Sequence, residues 1–315
     1  EAIARFYHAR YGLEVPTAWI AVTVGASVGC AVAMMAAFDA GAKVGIGVPY
    51  YPAYPNMLKA LGMEPVLLET NRDTRYQPTV EMLKKAGKLD GVLIASPSNP
   101  AGTVIEPEML AGIAAWCEAE GVRLISDEIY HGITFGEAMA DTALRYSQQA
   151  IIVNSFSKYF LMPGYRLGWV VMPEDLARRY ESLLQSFVIS APAFSQQVAL
   201  SMFAHTEYLD AEVARYATNR DIIMAWAKGF GLTDIAPADG AFYLYGKSTA
   251  IAPDSAALCD RFLREAHVCV VPGRDFDAAH GHEYIRLSYC GDTARLKEAL
   301  SRLDAWKAGK KRDAA

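Results

Sequence analysis

A hydroxyl-rich turn with one lysine and one arginine is the stretch of this chain best suited to covalent chemistry. An apolar strand predicted over residues 150–153 leads to Ser155, Ser157 and Lys158, and Arg166 follows eight residues later. A deprotonated lysine amine forms a Schiff base with an aldehyde, while hydroxyls and a guanidinium suit a phosphate monoester. An aldehyde and a phosphate on one small molecule describe pyridoxal 5'-phosphate. The alternative is a polar loop with a solvated lysine.

Further polar side chains follow the predicted strands of an alternating strand and helix pattern. Asn99 comes after the apolar segment 91–95, and Asp127 and Tyr130 come after the segment 122–126. Because ligands of open α/β sheets bind at the carboxyl ends of strands, these side chains are expected where chemistry occurs. The structural alternatives are an aspartate that caps the next turn and an asparagine that satisfies its own turn.

Two segments nearer the start of the chain are candidates for holding a flat anionic ligand. Gly25, Ala26 and Ser27 precede a helix predicted over residues 28–40, and a helix N-terminus after a glycine can bind an anion. A serine N-cap before a buried helix is the common alternative. Tyr51 lies in a proline-rich loop after a predicted strand, where its ring can stack on a ligand or pack into the core.

The order of elements predicts an α/β fold with two domains. Residues 1–205 are expected to form a three-layer large domain with a mainly parallel sheet flanked by helices, and residues 206–315 a smaller C-terminal α/β domain. Predicted elements include a helix over 137–147 and a strand over 268–271. Arg286 lies within an apolar strand and needs an anionic partner, either a ligand carboxylate or a salt bridge within the protein.

Composition excludes several classes of protein. The 315 residues are 52% hydrophobic and 21% charged with a net charge of −5, which argues against disorder and against a nucleic-acid partner. No segment predicts a membrane span, and five scattered cysteines suggest neither a metal site nor a disulfide framework, so a cytoplasmic protein is expected. The chain begins inside a predicted helix without a start signal, from which we expect a missing N-terminal segment.

Taken in order, these segments resemble the class I/II pyridoxal-phosphate-dependent aminotransferases of fold type I, the aspartate aminotransferase superfamily, over essentially all 315 residues. The resemblance implies that Lys158 forms the Schiff base, that Asp127 pairs with the pyridine nitrogen, and that Tyr130 assists catalysis. It further implies cofactor and substrate contacts: phosphate at Ala26, Ser27, Ser155 and Arg166, ring stacking at Tyr51, the ring hydroxyl at Asn99 and Tyr130, and the substrate carboxylate at Asn99 and Arg286.

The activity implied by the resemblance is transfer of the amino group of an L-amino acid to a 2-oxo acid, in a homodimer with shared active sites. Ser27 stands where some relatives that prefer dicarboxylic acids carry a lysine, which argues against strict aspartate specificity. Two rivals use the same scaffold. A C–S β-lyase would release pyruvate and ammonia, and the cofactor-sensing domain of a transcription regulator would follow a helix-turn-helix domain.

Overall fold

A computed structural model describes the backbone of residues 1–313 and the side chains of residues 1–309. The strands are Ile20–Thr23 (β1), Lys43–Val48 (β2), Glu64–Glu69 (β3), Gly91–Ala95 (β4), Arg123–Asp127 (β5), Ile151–Ser155 (β6), Gly168–Val171 (β7), Tyr243–Lys247 (β8), Val271–Pro272 (β9) and Tyr284–Ser288 (β10). The α-helices are Ala2–Tyr11 (α1), Gly25–Ala37 (α2), Ala53–Ala60 (α3), Val80–Lys85 (α4), Pro107–Glu120 (α5), Glu174–Val188 (α6), Ala193–Met202 (α7), Thr206–Phe230 (α8), Ser255–Ala266 (α9) and Thr293–Asp313 (α10).

The larger sheet has seven strands in the order β1-β7-β6-β5-β4-β2-β3. The strands from β6 to β3 are parallel, and β7 lies antiparallel between β1 and β6. The carboxyl ends of β1, β2, β4, β5 and β6 consequently meet at one edge of the sheet. This edge is where an open α/β sheet binds its ligands.

Both faces of the larger sheet are covered by apolar packing. In β4, Val92 and Ile94 belong to the core on one face and Leu93 to the core on the other, because successive side chains of a strand point to opposite faces. In β6, Ile152 and Val153 divide in the same way. A sheet buried on both faces needs helices on both sides, so the predicted three-layer α/β fold class is confirmed.

A second, antiparallel sheet has the order β8-β10-β9. It carries Arg286 in β10, opposite Tyr245 of β8. The strand predicted over 268–271 is largely wrong, since the paired segment is only Val271–Pro272. The division of the chain at residues 205 and 206 stays a prediction. No helix among the described residues is both long and apolar enough to cross a membrane.

The helix predicted over residues 137–147 is wrong. The structure has only a short 3-10 turn, Ala143–Arg145, within an irregular segment. The reason is a tertiary contact: the buried carboxyl group of Glu128 accepts hydrogen bonds from the Thr142 hydroxyl (3.0 Å) and the Ala143 backbone N–H (2.9 Å). A backbone N–H that donates to a side-chain carboxyl group does not form the hydrogen bond of a continuous helix. The segment around Ala143 is therefore irregular.

Candidate active site

One cavity of about 400 Å³ lies at the carboxyl edge of the larger sheet. All ten residues that the sequence predicts for the site line it: Ala26, Ser27, Tyr51, Asn99, Asp127, Tyr130, Ser155, Lys158, Arg166 and Arg286. The volume is in the range of small-molecule and cofactor sites. The structure therefore brings these side chains together, while their individual roles stay predictions.

Lys158 follows the end of β6 and turns into this cavity. Its Nζ atom lies 5.5 Å from the centroid of the Tyr130 ring. Burial is the main cause that lowers the pKa of Lys158; the Asp127 carboxylate opposes this effect, and the guanidinium groups of Arg286 and Arg166 add to it. A lowered pKa makes more of the neutral amine available at physiological pH, as a lysine nucleophile requires.

Asp127 ends β5 with a buried carboxyl group that forms no ion pair with a described residue, although the charge of Lys158 acts on it from a distance. Its Oδ2 atom accepts a hydrogen bond from the Tyr54 hydroxyl (2.6 Å), and Oδ1 accepts one from the Ile129 backbone N–H (3.0 Å). Burial raises the pKa of Asp127, and these two hydrogen bonds act against that rise. A buried carboxylate in this position is best stabilised by a cationic ligand, which is the form of a protonated pyridine nitrogen.

The end of the cavity beside α2 has the donors of an anion site. Arg166 has a left-handed backbone (φ 52°), and its Nη1 atom donates to the Pro163 carbonyl (2.9 Å). It forms no ion pair with a described residue, and a Cβ at Gly25 would lie 2.4 Å from its Nη2 atom. Only glycine leaves room for that guanidinium at the start of α2. Ser155 also lines this cavity, and its hydroxyl contacts the Ser157 hydroxyl (3.0 Å).

The start of α2 differs from the sequence prediction. The helix begins at Gly25 rather than at Val28, so Ser27 is its third residue and Val24 is the N-cap. The backbone N–H groups of the first residues of a helix have no partner within the helix. Ala26 and Ser27 thus lie in the first turn of α2, where free N–H groups can bind an anion, and Ser27 does not cap the helix.

Arg286 is held by aromatic rings rather than by an acidic side chain. Its Cζ atom lies 4.4 Å from the centroid of the Tyr243 ring and 4.8 Å from that of Phe276. Its Nη1 atom donates to the Asn99 Oδ1 atom (2.9 Å), and its Nε atom is buried without a hydrogen-bond partner. The salt bridge considered from the sequence is not formed with any described residue. The guanidinium is left available for a ligand carboxylate.

Tyr130 and Tyr51 complete the walls around the position of a flat ring. The Tyr130 hydroxyl is 2.7 Å from the Tyr243 hydroxyl, and its buried ring lies edge-on to the Tyr243 ring. Tyr51 is 38% exposed, with its ring edge-on to Tyr54 at 5.4 Å. The exposure of Tyr51 argues against the alternative that it packs into the core.

A second buried carboxyl group, that of Glu128, lies next to Asp127 in the chain and faces away from the cavity lining. Its Oε1 atom accepts three hydrogen bonds, one of them from Ser126 (3.2 Å), whereas its Oε2 atom has no hydrogen-bond partner and lies 3.4 Å from His131 Nδ1. Burial raises the pKa of Glu128 to about 8 and lowers that of His131 to about 3. Both shifts favour the neutral form of the two side chains in this contact.

Comparison with known proteins decides the family. The family model described as "Aminotransferase class I and II" matches residues 1–303. The chain belongs to this family. A valine–pyruvate aminotransferase of Mycobacterium tuberculosis is 43% identical over 310 residues, which cover 97% of this chain and 80% of the relative. A (5-formylfuran-3-yl)methyl phosphate transaminase of Methanocaldococcus jannaschii is 32% identical, covering 96% of this chain and 79% of the relative.

The fold of this aminotransferase agrees with solved structures. A crystal structure of an aminotransferase from Mycobacterium tuberculosis superposes with a TM-score of 0.96 at 43% identity, covering 98% of this chain and 81% of that one. The aminotransferase therefore has fold type I and transfers an amino group from an amino acid to a 2-oxo acid. The β-lyase and regulator alternatives are not favoured, since the relatives found are named aminotransferases. The family is generally pyridoxal-phosphate-dependent.

Sequence reasoning assigned no contact to two tyrosines of this cavity. Tyr54 holds Asp127, and Tyr243 connects Tyr130 with Arg286. Tyr54 had a signal, because it lies three residues after Tyr51 at the start of α3, and a buried aspartate needs a donor. Tyr243 was a candidate for the pocket wall, but its orientation could not be derived, because it depends on how the second sheet lies against the first.

Proposed function

We propose that this aminotransferase binds pyridoxal 5'-phosphate in the cavity, with Lys158 as its covalent attachment point. The observation that carries the proposal is electrostatic: Lys158, Asp127, Arg166 and Arg286 all line one cavity, and none of them forms an ion pair with a described residue. Unpaired charges in a partly dry cavity are costly unless a ligand neutralises them. The cofactor supplies a phosphate for Arg166 and a ring nitrogen for Asp127.

Each residue then has a definite task. When bound, the cofactor supplies an electron sink for the bond that breaks at the amino acid α-carbon. Asp127 holds a proton on the ring nitrogen, and Arg286 orients the substrate through its carboxylate. Lys158, in its unattached form, can accept the α-proton because its lowered pKa leaves more of the amine neutral, and once protonated it can return the proton. Tyr130 donates to the ring hydroxyl.

We further propose that the amino donor has a neutral side chain and that pyruvate is the acceptor. The cations that line the cavity among the described residues are Lys158, Arg166 and Arg286. If Arg166 binds the phosphate, Arg286 binds the α-carboxylate and Lys158 serves as the attachment point and base, none of them is left for a second carboxylate on the substrate. The printed activity of the Mycobacterium tuberculosis relative, a valine–pyruvate aminotransferase, supports the same choice.

A donor screen tests the substrate proposal. Valine, alanine and leucine are compared with aspartate and glutamate, each with pyruvate and with 2-oxoglutarate. We expect kcat/KM for the best neutral donor to exceed that for aspartate by about tenfold or more, since an unpaired buried carboxylate costs at least about 1.4 kcal/mol. A preference for aspartate would refute it. Release of pyruvate and ammonia from a cysteine conjugate, without a new amino acid, would instead favour the lyase.

The attachment of the cofactor has its own test. Protein loaded with pyridoxal phosphate and reduced with borohydride should carry the added mass on the peptide that contains Lys158. Lys158→Ala should lose both this adduct and catalysis while it keeps a folded circular dichroism spectrum. An adduct on a different lysine would contradict the assignment.

We also propose a cytoplasmic homodimer whose active sites lie near the interface. The five cysteines are free, as a reducing compartment favours. Tyr165, which precedes Arg166 in the chain, and Phe194, which is 74% exposed, form an exposed apolar patch, and Phe187, Ile189 and Leu200 are further exposed apolar residues of the following segment. Patches of this kind mark interaction sites. Tyr165 stacks on Phe194, so a partner that covers the patch lies close to the phosphate end of the cavity.

The dimer is tested by light scattering. Phe194→Asp should shift the protein toward monomer and weaken cofactor binding, because it puts a charge into the patch. Leu263→Asp is the control, since Leu263 is an exposed apolar residue of α9 outside the patch. An unchanged mass for Phe194→Asp would refute the placement of the interface.

A further inference from the structure

Two buried tyrosine hydroxyl groups meet at the cavity wall. The Tyr130 and Tyr243 oxygens are 2.7 Å apart, and neither has another hydrogen-bond partner among the residues that the structure describes. Tyr130 belongs to the segment after β5, and Tyr243 begins β8 of the second sheet. The contact therefore joins the two sheets at the point where the ligand binds.

The number of protons on the two hydroxyl groups determines which of them donates the hydrogen bond between them when a ligand is present. Burial raises the pKa of both tyrosines, so each hydroxyl keeps its proton. A phenol oxygen has one proton to donate and lone pairs that accept. If the Tyr130 hydroxyl donates a hydrogen bond to a group in the cavity, the hydrogen bond between the two oxygens must be donated by Tyr243. A hydroxyl that accepts such a bond becomes a stronger donor in turn.

The ring of Tyr243 has a separate contact with the residue for the substrate carboxylate. Its centroid lies 4.4 Å from the Arg286 Cζ atom, at cation–π distance. The Nε atom of Arg286 is buried and unpartnered. The orientation of that guanidinium therefore depends on the rings of Tyr243 and Phe276, of which Tyr243 is the nearer, and on its one hydrogen bond, to Asn99.

We propose that Tyr243 is a positioning residue with two separable functions. Its hydroxyl donates to Tyr130 and thereby strengthens the donation of Tyr130 to the ring oxygen of the cofactor, and its ring orients Arg286 for the substrate carboxylate. The inference rests on the proposed function, because it takes the ligand of Tyr130 to be pyridoxal phosphate. In this inference the Tyr243 hydroxyl affects the cofactor through Tyr130, and the Tyr243 ring affects substrate binding through Arg286.

The test is Tyr243→Phe in the cofactor-loaded enzyme, read first from the absorbance of the bound cofactor as a function of pH. In this variant Tyr130 donates a weaker hydrogen bond to the ring oxygen of the cofactor, so that oxygen keeps more negative charge. The charge stabilises the proton on the adjacent nitrogen, which joins the cofactor to Lys158. We expect the pH midpoint of the absorbance change to rise by about 0.5 to 1 unit. The kcat should fall about threefold to tenfold, while KM stays within about twofold because the ring is retained.

Three further variants separate the two functions. Tyr243→Leu removes the ring as well, so its KM should rise about tenfold beyond that of Tyr243→Phe. Tyr245→Phe is the matched control on the same strand, since Tyr245 does not line the cavity. In a Tyr130→Phe background, Tyr243→Phe should shift the midpoint no further, because its effect passes through Tyr130.

The outcomes distinguish this inference from the proposed function. If the wild type takes up no cofactor, the proposed function fails. If the wild type titrates but Tyr243→Phe has the same midpoint as Tyr245→Phe, the role of the hydroxyl is overturned. A shift that persists in the Tyr130→Phe background, or a loss of cofactor uptake in Tyr243→Phe alone, overturns it too, because a residue that only tunes Tyr130 is not needed for uptake.

Discussion

Replacing Glu128 by glutamine should change how the stability of this protein depends on pH. The Glu128 side chain is fully buried, its Oε1 atom accepts three hydrogen bonds, and its Oε2 atom accepts none. Burial favours the protonated carboxyl group and outweighs the three hydrogen bonds to Oε1, which favour the charged form. Glutamine keeps the shape and the acceptor oxygen but has no proton to lose.

The sign and size of the effect follow from the pKa. Burial raises the pKa of Glu128 from an ordinary value of 4.5 to about 8, so the folded protein holds this proton more tightly than the unfolded chain does. The stability that the proton provides is complete below pH 4.5 and is lost as the pH rises toward 8. Each unit of pKa is worth about 1.4 kcal/mol, which gives about 5 kcal/mol over the whole window.

His131 contributes with the opposite sign at lower pH. Burial lowers its pKa from 6.5 to about 3, so the unfolded chain binds a proton that the folded protein does not, and stability rises with pH over that range. The two slopes nearly cancel between pH 4.5 and 6.5 in the wild type. Comparison with Glu128→Gln isolates the glutamate, because His131 and its contact with the Tyr11 hydroxyl (2.6 Å) are present in both proteins.

The assay is urea unfolding of the wild type and Glu128→Gln at several pH values, at equal protein and cofactor concentrations. Relative to the variant, the wild type should lose about 1.4 kcal/mol of unfolding free energy per pH unit between pH 5 and 7.5. Glu120→Gln, at an exposed position of α5, is the surface control. A difference between the wild type and Glu128→Gln that is the same at every pH would refute the protonated carboxyl group.

Three other substitutions test the cofactor site. Asp127→Ala should stay folded yet bind little cofactor and lose about three decades of kcat, since an ion pair at about 4 Å is worth about 4 kcal/mol at an effective dielectric of 20; near-normal turnover would contradict this. Tyr54→Phe removes the 2.6 Å hydrogen bond to Asp127 and should cost about tenfold in kcat/KM, measured by steady-state kinetics. Gly25→Ala places a methyl group 2.4 Å from Arg166 Nη2 at a backbone φ of 74°. Its cofactor Kd, measured by fluorescence titration, should rise about tenfold or more, and an unchanged Kd would exclude Arg166 from the phosphate site.

The cavity residues that could be predicted from the sequence are those whose residue type itself indicates a chemical role. Lysine, aspartate and arginine stand out after apolar strands, and the topology of a parallel sheet brings strand ends together without detailed knowledge of packing. The helix over 137–147 could not be rejected in this way, because what prevents it is a hydrogen bond from Ala143 to a carboxyl group 15 positions away. The orientation of Tyr243 could not be derived either, because its contact with Tyr130 joins residues 113 positions apart.

The charged side chains of the cavity are informative because none of them forms an ion pair with a described residue. Lys158, Arg166 and Arg286 line it together with the single carboxylate of Asp127 among the ionised residues described there. A structural network would pair these groups with one another, as Arg75 pairs with Asp239 at 2.6 Å elsewhere in this chain. Here Arg286 contacts aromatic rings and donates to the Asn99 side chain, and Arg166 donates to the Pro163 backbone carbonyl, so donors are satisfied without neutralising charge. Such an arrangement stabilises the protein only when ligands bring a phosphate, a carboxylate and a ring cation together. The ligands that fit the cavity best should therefore also raise the free energy of unfolding of the protein the most.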